Sequence, residues 1–211
     1  QRPAQQAMPV QEPGQRPARA LPYDFDVRMQ AGEQKPTLRM INRSTVGVAL
    51  NVYADEGSAG PWFYTLAAGS ELRDARDWRG GAATAGYALR VHGPNGFLRE
   101  FHGDGVTDAG LQADADYDAA SQCLLLELRN AGAQACRLRI RDGYRDGAEQ
   151  ALDLAAGARQ RLRFPLAAQH HWYDLEIASA SMPQWRRRLA GHIETGRPSM
   201  SDPAIGRAVA G

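Results

Sequence analysis

The residues best placed for chemistry fall in one short stretch, Tyr87-Ala88-Leu89-Arg90-Val91-His92-Gly93-Pro94-Asn95-Gly96-Phe97-Leu98-Arg99-Glu100-Phe101. Gly93-Pro94-Asn95-Gly96 has the composition of a turn, because glycine tolerates positive φ and proline fixes its own. With Val91 set opposite Phe97 and Tyr87 opposite Phe101, Leu89 faces Arg99. Arg99 then lies between two aromatic residues on an otherwise apolar face. A core-facing arginine must be paired or must snorkel to an edge. One reading is a phosphate or carboxylate site at Arg99 with His92 and Asn95 beside it. The other is a fixed ion pair within the core, which Arg187 favours by standing at the equivalent place in the second half of the chain.

Other constellations promise less. His170 and His171 are adjacent, so on a strand they point to opposite faces, and no Cys or carboxylate stands at zinc-ligand spacing from them. No metal or other cofactor is expected. Asp114, Asp116 and Asp118 echo the start of a calcium loop, but Ala119 stands where its glycine belongs and Leu125 where its glutamate belongs. There is no Gly-x-Ser-x-Gly elbow and no glycine-rich phosphate loop leading into a helix, so no catalytic residue is expected. Arg137, Arg139 and Arg141 alternate on one strand face, and Arg159, Arg161 and Arg163 on another. As neighbours these would form a basic patch able to meet phosphate headgroups; as separate stripes they are solvated faces. Trp62-Phe63 and His171-Trp172 read either as exposed tips that insert at a membrane interface or as core residues at strand ends.

The elements that must position these groups are strands. Leu38 and Met40, then Val46, Val48, Leu50 and Val52, then Tyr87, Leu89 and Val91 all alternate at period two between Gly, Asn and Pro. One helical turn is expected near Glu71–Trp78. An internal repeat organises the rest. Asn42 and Asn130, Leu66-Ala67-Ala68-Gly69 and Leu154-Ala155-Ala156-Gly157, and Gly103 and Gly191 are all separated by 88 positions. The same offset carries Val48, Leu50 and Val52 onto Cys136, Leu138 and Ile140. The chain is therefore expected to be all-β, two tandem antiparallel Ig-like β-sandwich modules related by duplication. The boundaries read as a tail over 1–20, modules over 21–105 and 122–196, an acidic linker over 106–121 and a tail over 197–211. Cys123 and Cys136 flank what reads as a hairpin turning at Ala131–Gln134, too far apart along it for a disulfide. Cys136 reads as a small core residue in Val48's place.

The formal net charge is +1, which provides no field to recruit nucleic acid. No apolar run approaches the ~20 residues that span a bilayer. The chain begins at Gln1 and reads as an excised piece whose export signal lies upstream.

Val91-His92-Gly93-Pro94-Asn95-Gly96-Phe97-Leu98-Arg99 resembles the signature of the C-terminal repeat in bacterial phosphocholine-preferring phospholipase C enzymes, where the repeat also occurs twice. Met8-Pro9-Val10-Gln11-Glu12-Pro13-Gly14 through Tyr23 is similar to the segment before that repeat. Ala190-Gly191-His192-Ile193-Glu194-Thr195-Gly196-Arg197-Pro198-Ser199 with Ser201-Asp202-Pro203 resembles the end of the family's chains. The resemblance implies an exported parent, secreted or periplasmic, that hydrolyses phosphatidylcholine and in some members sphingomyelin. It places catalysis in a large N-terminal α/β domain of the alkaline-phosphatase type, whose motifs do not occur in these 211 residues. The expected role is non-catalytic: support of that domain, or engagement of the substrate membrane. The alternative is a module that binds carbohydrate or a cell surface. The candidate binding residues are His92, Asn95, Arg99, Trp62, Phe63, Arg159, Arg161 and Arg163. The second half departs from the signature, with Ala178-Ser179-Ala180-Ser181-Met182-Pro183 in place of His92–Gly96.

Overall fold

The computed structural model describes residues 12, 14–30, 35–54, 60–76, 78, 86–104, 110–118, 120–145 and 148–205. After a two-residue strand β1 (Pro17–Ala18), the first module stacks two antiparallel sheets. One contains β2 (Phe25–Gln30), β3 (Thr37–Asn42) and β6 (Glu71–Ala75), in the order β2-β3-β6. The facing layer contains β4 (Val48–Ala54), β5 (Trp62–Leu66), β7 (Tyr87–His92) and β8 (Leu98–Gly103), in the order β5-β4-β7-β8. Alternation decides which side chains turn inward. Leu38 and Met40 of β3 meet Val48, Leu50 and Val52 of β4 and Leu89 and Val91 of β7, all almost fully buried.

The second module repeats this plan. β9 (Leu111–Asp118), β10 (Cys123–Asn130) and β13 (Arg159–Pro165) form the sheet β13-β10-β9. β11 (Cys136–Asp142), β12 (Glu149–Leu154), β14 (Trp172–Ser179) and β15 (Arg186–His192) form the layer β12-β11-β14-β15. The repeated asparagines show why the modules fold alike. Asn42 Nδ2 donates to the carbonyls of Val46, Leu66 and Ala67, and Asn130 Nδ2 to those of Gln134, Leu154 and Ala155. Each thereby fastens the arch that carries the chain from one sheet to the other.

The four-stranded layers are not separate. β15 pairs with β8, making one eight-stranded sheet across both modules. Its register is symmetric under the repeat: Arg187 faces Phe101, Leu189 faces Arg99, and at the centre Glu100 faces Arg188, its own counterpart. The modules thus join edge to edge about a local twofold axis. A last short strand, β16 (Ser199–Met200), pairs with β1 and brings the two terminal segments together.

Several expectations need correction. Glu71–Ala75 is the strand β6 rather than a helical turn, because Leu72 and Asp74 alternate with exposed neighbours and the backbone is paired with β3. Part of the expected linker, Leu111–Asp118, is β9, whose inward Leu111, Ala113 and Ala115 are too small to give a strong apolar period. Both expected tails contribute a strand, β1 and β16. Cys123 and Cys136 do not flank a hairpin, since β10 and β11 lie in different sheets; both thiols are free and buried. The β7–β8 register is also shifted by two: Val91, not Leu89, faces Arg99, and Leu89 faces Phe101.

Candidate functional site

Where β2 of one module approaches β9 of the other, a polar seam runs over the β8–β15 junction. Arg99, 2% exposed, spends every donor there. Its Nε and Nη2 donate to Asp26 Oδ1 at 3.2 and 3.0 Å, Nη2 also to the Tyr173 hydroxyl at 3.0 Å, and Nη1 to the carbonyls of Leu98 and Ala190. Its counterpart Arg187 makes the mirrored set. Nη1 donates to the carbonyls of Arg186 and His102, and Nη2 to the Tyr87 hydroxyl at 2.8 Å. Each arginine thereby grips the other module. The symmetry fails at the carboxylates. Asp26 also accepts from Arg28 Nε at 2.8 Å, whereas its counterpart Asp114 forms no ion pair with Arg187. Burial pushes Asp114 up to about 6; Arg28, Arg187 and Arg99 oppose this and Asp26 adds to it. Among the described residues, the expected ion pair per module is therefore found in the first module and not in the second.

The hairpin tip is likewise committed to structure. Asn95 and Gly96 have φ of 53° and 70°, and Phe97 N–H donates to Pro94 C=O, the φ signs and closing bond of a type I′ turn. Asn95 Nδ2 donates to Glu194 Oε1, and Gly96 lies against Trp172, both in the second module. His92 lies away from Arg99, exposed on the outer face with its ring edge-on to Tyr53 at 5.6 Å. The structure therefore does not assemble His92, Asn95 and Arg99 into an anion site, and Arg99 has no donor left for one. A β-carbon at Gly96 would sit 2.8 Å from Trp172 Cζ3. Gly96→Ala is accordingly expected to lower stability by about 2 kcal/mol, from positive φ plus overpacking, read in urea unfolding.

One arrangement within a single short stretch escaped the sequence reading, because only the folding back of the chain from β15 to β16 sets Ser199 against His192. His192 Nδ1 lies 3.1 Å from Glu194 Oε1, and His192 Nε2 lies 3.0 Å from Ser199 Oγ. This order of groups suggests a nucleophile, base and orienting carboxylate. A third neighbour decides against it. The His170 carbonyl lies 3.0 Å from both Nε2 and Ser199 Oγ, so Nε2 and the hydroxyl both serve as donors to it and neither activates the other. Burial acts to raise Glu194, but bonds from His192, the Leu21 N–H and Asn95 outweigh it and hold Glu194 below the usual carboxylate range. With Trp172 Nε1 donating to Met200 C=O at 2.9 Å, the cluster is a clasp that fastens β16 to the second module.

The remaining candidates divide between core and surface. Trp62 turns inward, edge-on to Trp78 at 5.1 Å, with Arg76 over both rings. Phe63 points outward, 69% exposed, and Tyr53, at 40%, shares that outer face on the neighbouring strand. The two arginine stripes do not merge, because β11 and β13 lie in different sheets. Within the second stripe Arg161 pairs with Glu127, and Arg163 lies 3.5 Å from Asp118. Arg159 has neither partner.

These features define a duplicated β-sandwich whose two copies share one sheet and whose buried arginines, Arg99 and Arg187, are spent on holding the copies together. The chain belongs to the family described as the C-terminal domain of bacterial phospholipase C, which matches twice, over residues 17–104 and 111–192. The second match begins at β9, in agreement with its place in the second module. The chain is 40% identical over 212 residues to a non-hemolytic phospholipase C of Burkholderia pseudomallei, covering 98% of this chain and 30% of that protein. It is 35% identical over 214 residues to the non-hemolytic phospholipase C of Pseudomonas aeruginosa, covering 97% and 30%. To the hemolytic phospholipase C of the same organism it is 30% identical over 225 residues, covering 94% and 31%. The chain thus spans about a third of the length of the curated relatives it matches.

Proposed function

We propose that this chain is a non-catalytic accessory region of a secreted phospholipase C, and that it supports the catalytic part by engaging the substrate membrane. One observation carries the membrane reading. Of three large hydrophobic side chains exposed among the described residues, two, Phe63 and Tyr53, share the outer face of adjacent strands. Exposed aromatic groups on a rigid sheet suit the interfacial layer of a bilayer, where rings bury their apolar bodies. A second reading, carbohydrate recognition, draws on the same surface, since Asn51 lies in register between Phe63 and His92.

The test is co-sedimentation with phosphatidylcholine and sphingomyelin vesicles at low and moderate salt, with phospholipid hydrolysis assayed on the same samples. The expected result is binding that salt barely changes, at least five-fold weaker in Phe63→Ser/Tyr53→Ser, with no hydrolysis. Failure to bind at any salt overturns the membrane role and leaves support of the catalytic part. Turnover by this chain overturns the non-catalytic reading. Retention on a glycan array that the same double variant loses favours the second reading.

A further inference from the structure

The outer face of the sheet β13-β10-β9 carries an arrangement that packing does not explain. Its register sets three rows across the strands: Gln112 opposite Arg129 opposite Arg159, then Asp114, Glu127 and Arg161, then Asp116, Leu125 and Arg163. In the second row Arg161 pairs with Glu127, and Arg163 of the third row lies 3.5 Å from Asp118, two residues further along β9 than Asp116. The first row contains two arginines and an amide. Arg129 and Arg159 are both exposed, and their side chains make no ion pair or hydrogen bond among the described residues.

Directly opposed residues on one face of an antiparallel pair hold their β-carbons about 5 Å apart, where like charges repel. Protection of a sheet edge accounts for arginines on β13, the outermost strand. It does not account for Arg129, which lies on the central strand β10. Two guanidinium forks converging beside an amide are suited to an oxyanion with several acceptor oxygens, and a doubly charged one removes the repulsion.

The geometry points to an oxyanion site of the phosphate class formed by Gln112, Arg129 and Arg159. It sits on the three-stranded layer, whereas Phe63 and Tyr53 are on the outer face of the opposite layer. A bilayer resting on the aromatic face does not reach it, so the site is independent of the membrane reading. Inorganic phosphate and soluble phosphate monoesters are the ligands this placement favours.

The experiment is calorimetric titration of the intact chain with inorganic phosphate and glycerol phosphate against sodium chloride at matched ionic strength, with phosphatidic acid vesicles as a lipid arm. Saturable phosphate binding is expected. It should be weakened ten-fold or more by Arg129→Gln and by Arg159→Gln, and unchanged by Arg139→Gln on the far sheet. Without phosphate, Arg159→Gln should unfold at the same temperature as the unsubstituted chain or higher, which separates lost binding from lost fold. Binding confined to the vesicles, and removed by the same variants, assigns the oxyanion to a lipid. A response no larger than that to chloride, or one that survives both substitutions, overturns the site.

Discussion

Replacing Asp26 by alanine is expected to cost about 3–5 kcal/mol of unfolding free energy, the range for removing one partner from a buried ion pair. Asp26 and Arg99 are 3% and 2% exposed, and the carboxylate accepts from Arg99 through Oδ1 and from Arg28 through Oδ2. Without it the Arg99 guanidinium stays buried against the Tyr173 hydroxyl and two carbonyls, none of which has a charge to offset its own. Urea unfolding of Asp26→Ala measures the loss. Adding Arg99→Met should restore at least half of it, because the stranded charge is then gone. If the double variant is as unstable as the single, the cost lies in backbone packing of β2 and not in the charge.

The second large effect runs the other way. With Asp114 raised from its ordinary value of 3.8 to about 6, the folded chain retains a proton that the unfolded chain releases between those values. Below about pH 3 both states hold it and the group contributes nothing. As pH rises through the window, stability falls, and above pH 6 the full penalty of about 2–3 kcal/mol applies. Asp114→Asn should therefore raise unfolding free energy at pH 7.5 by about 2 kcal/mol and converge with the unsubstituted chain near pH 3. Taking the difference between the two chains cancels the other carboxylates. An Asp114→Asn profile parallel to the original across this range would show that Asp114 titrates normally.

Much of the fold was legible because the repeat preserves what the core needs. Leu, Val and Ile recur at one offset, and the asparagine at each arch is a buried hydrogen-bonding device that no other side chain reproduces. β9 was not legible, since Ala113 and Ala115 bury little surface and the aspartates between them resemble a linker. Sheet membership was not legible either: an arch between sheets and a hairpin within one have similar turn composition, which misled the reading of Cys123 and Cys136. At the site, Arg99 was correctly placed facing the core because a charge between Phe97 and Phe101 is conspicuous. Its partners were out of reach. Asp26, Tyr173 and Ala190 meet it only when the modules dock, and the 88-residue offset says that two copies exist, not how they face each other. For the same reason His92-Gly93-Pro94-Asn95-Gly96 reads as a ligand loop in sequence and proves to be a wedge between modules.

The pairing of Glu100 with Arg188 on the local twofold axis has a consequence for why the copies share one chain. In a dimer of two identical modules joined this way, the residue on the axis meets itself, glutamate against glutamate or arginine against arginine. Opposite charges there are impossible for any single gene product that pairs with its twin. Tandem fusion lifts that restriction, because the two positions are encoded separately and can diverge. It also allows Asp26 to be used and Asp114 to be left without an ion pair among the described residues. Covalent linkage thus turned an interface bound to be self-complementary into one free to be lopsided.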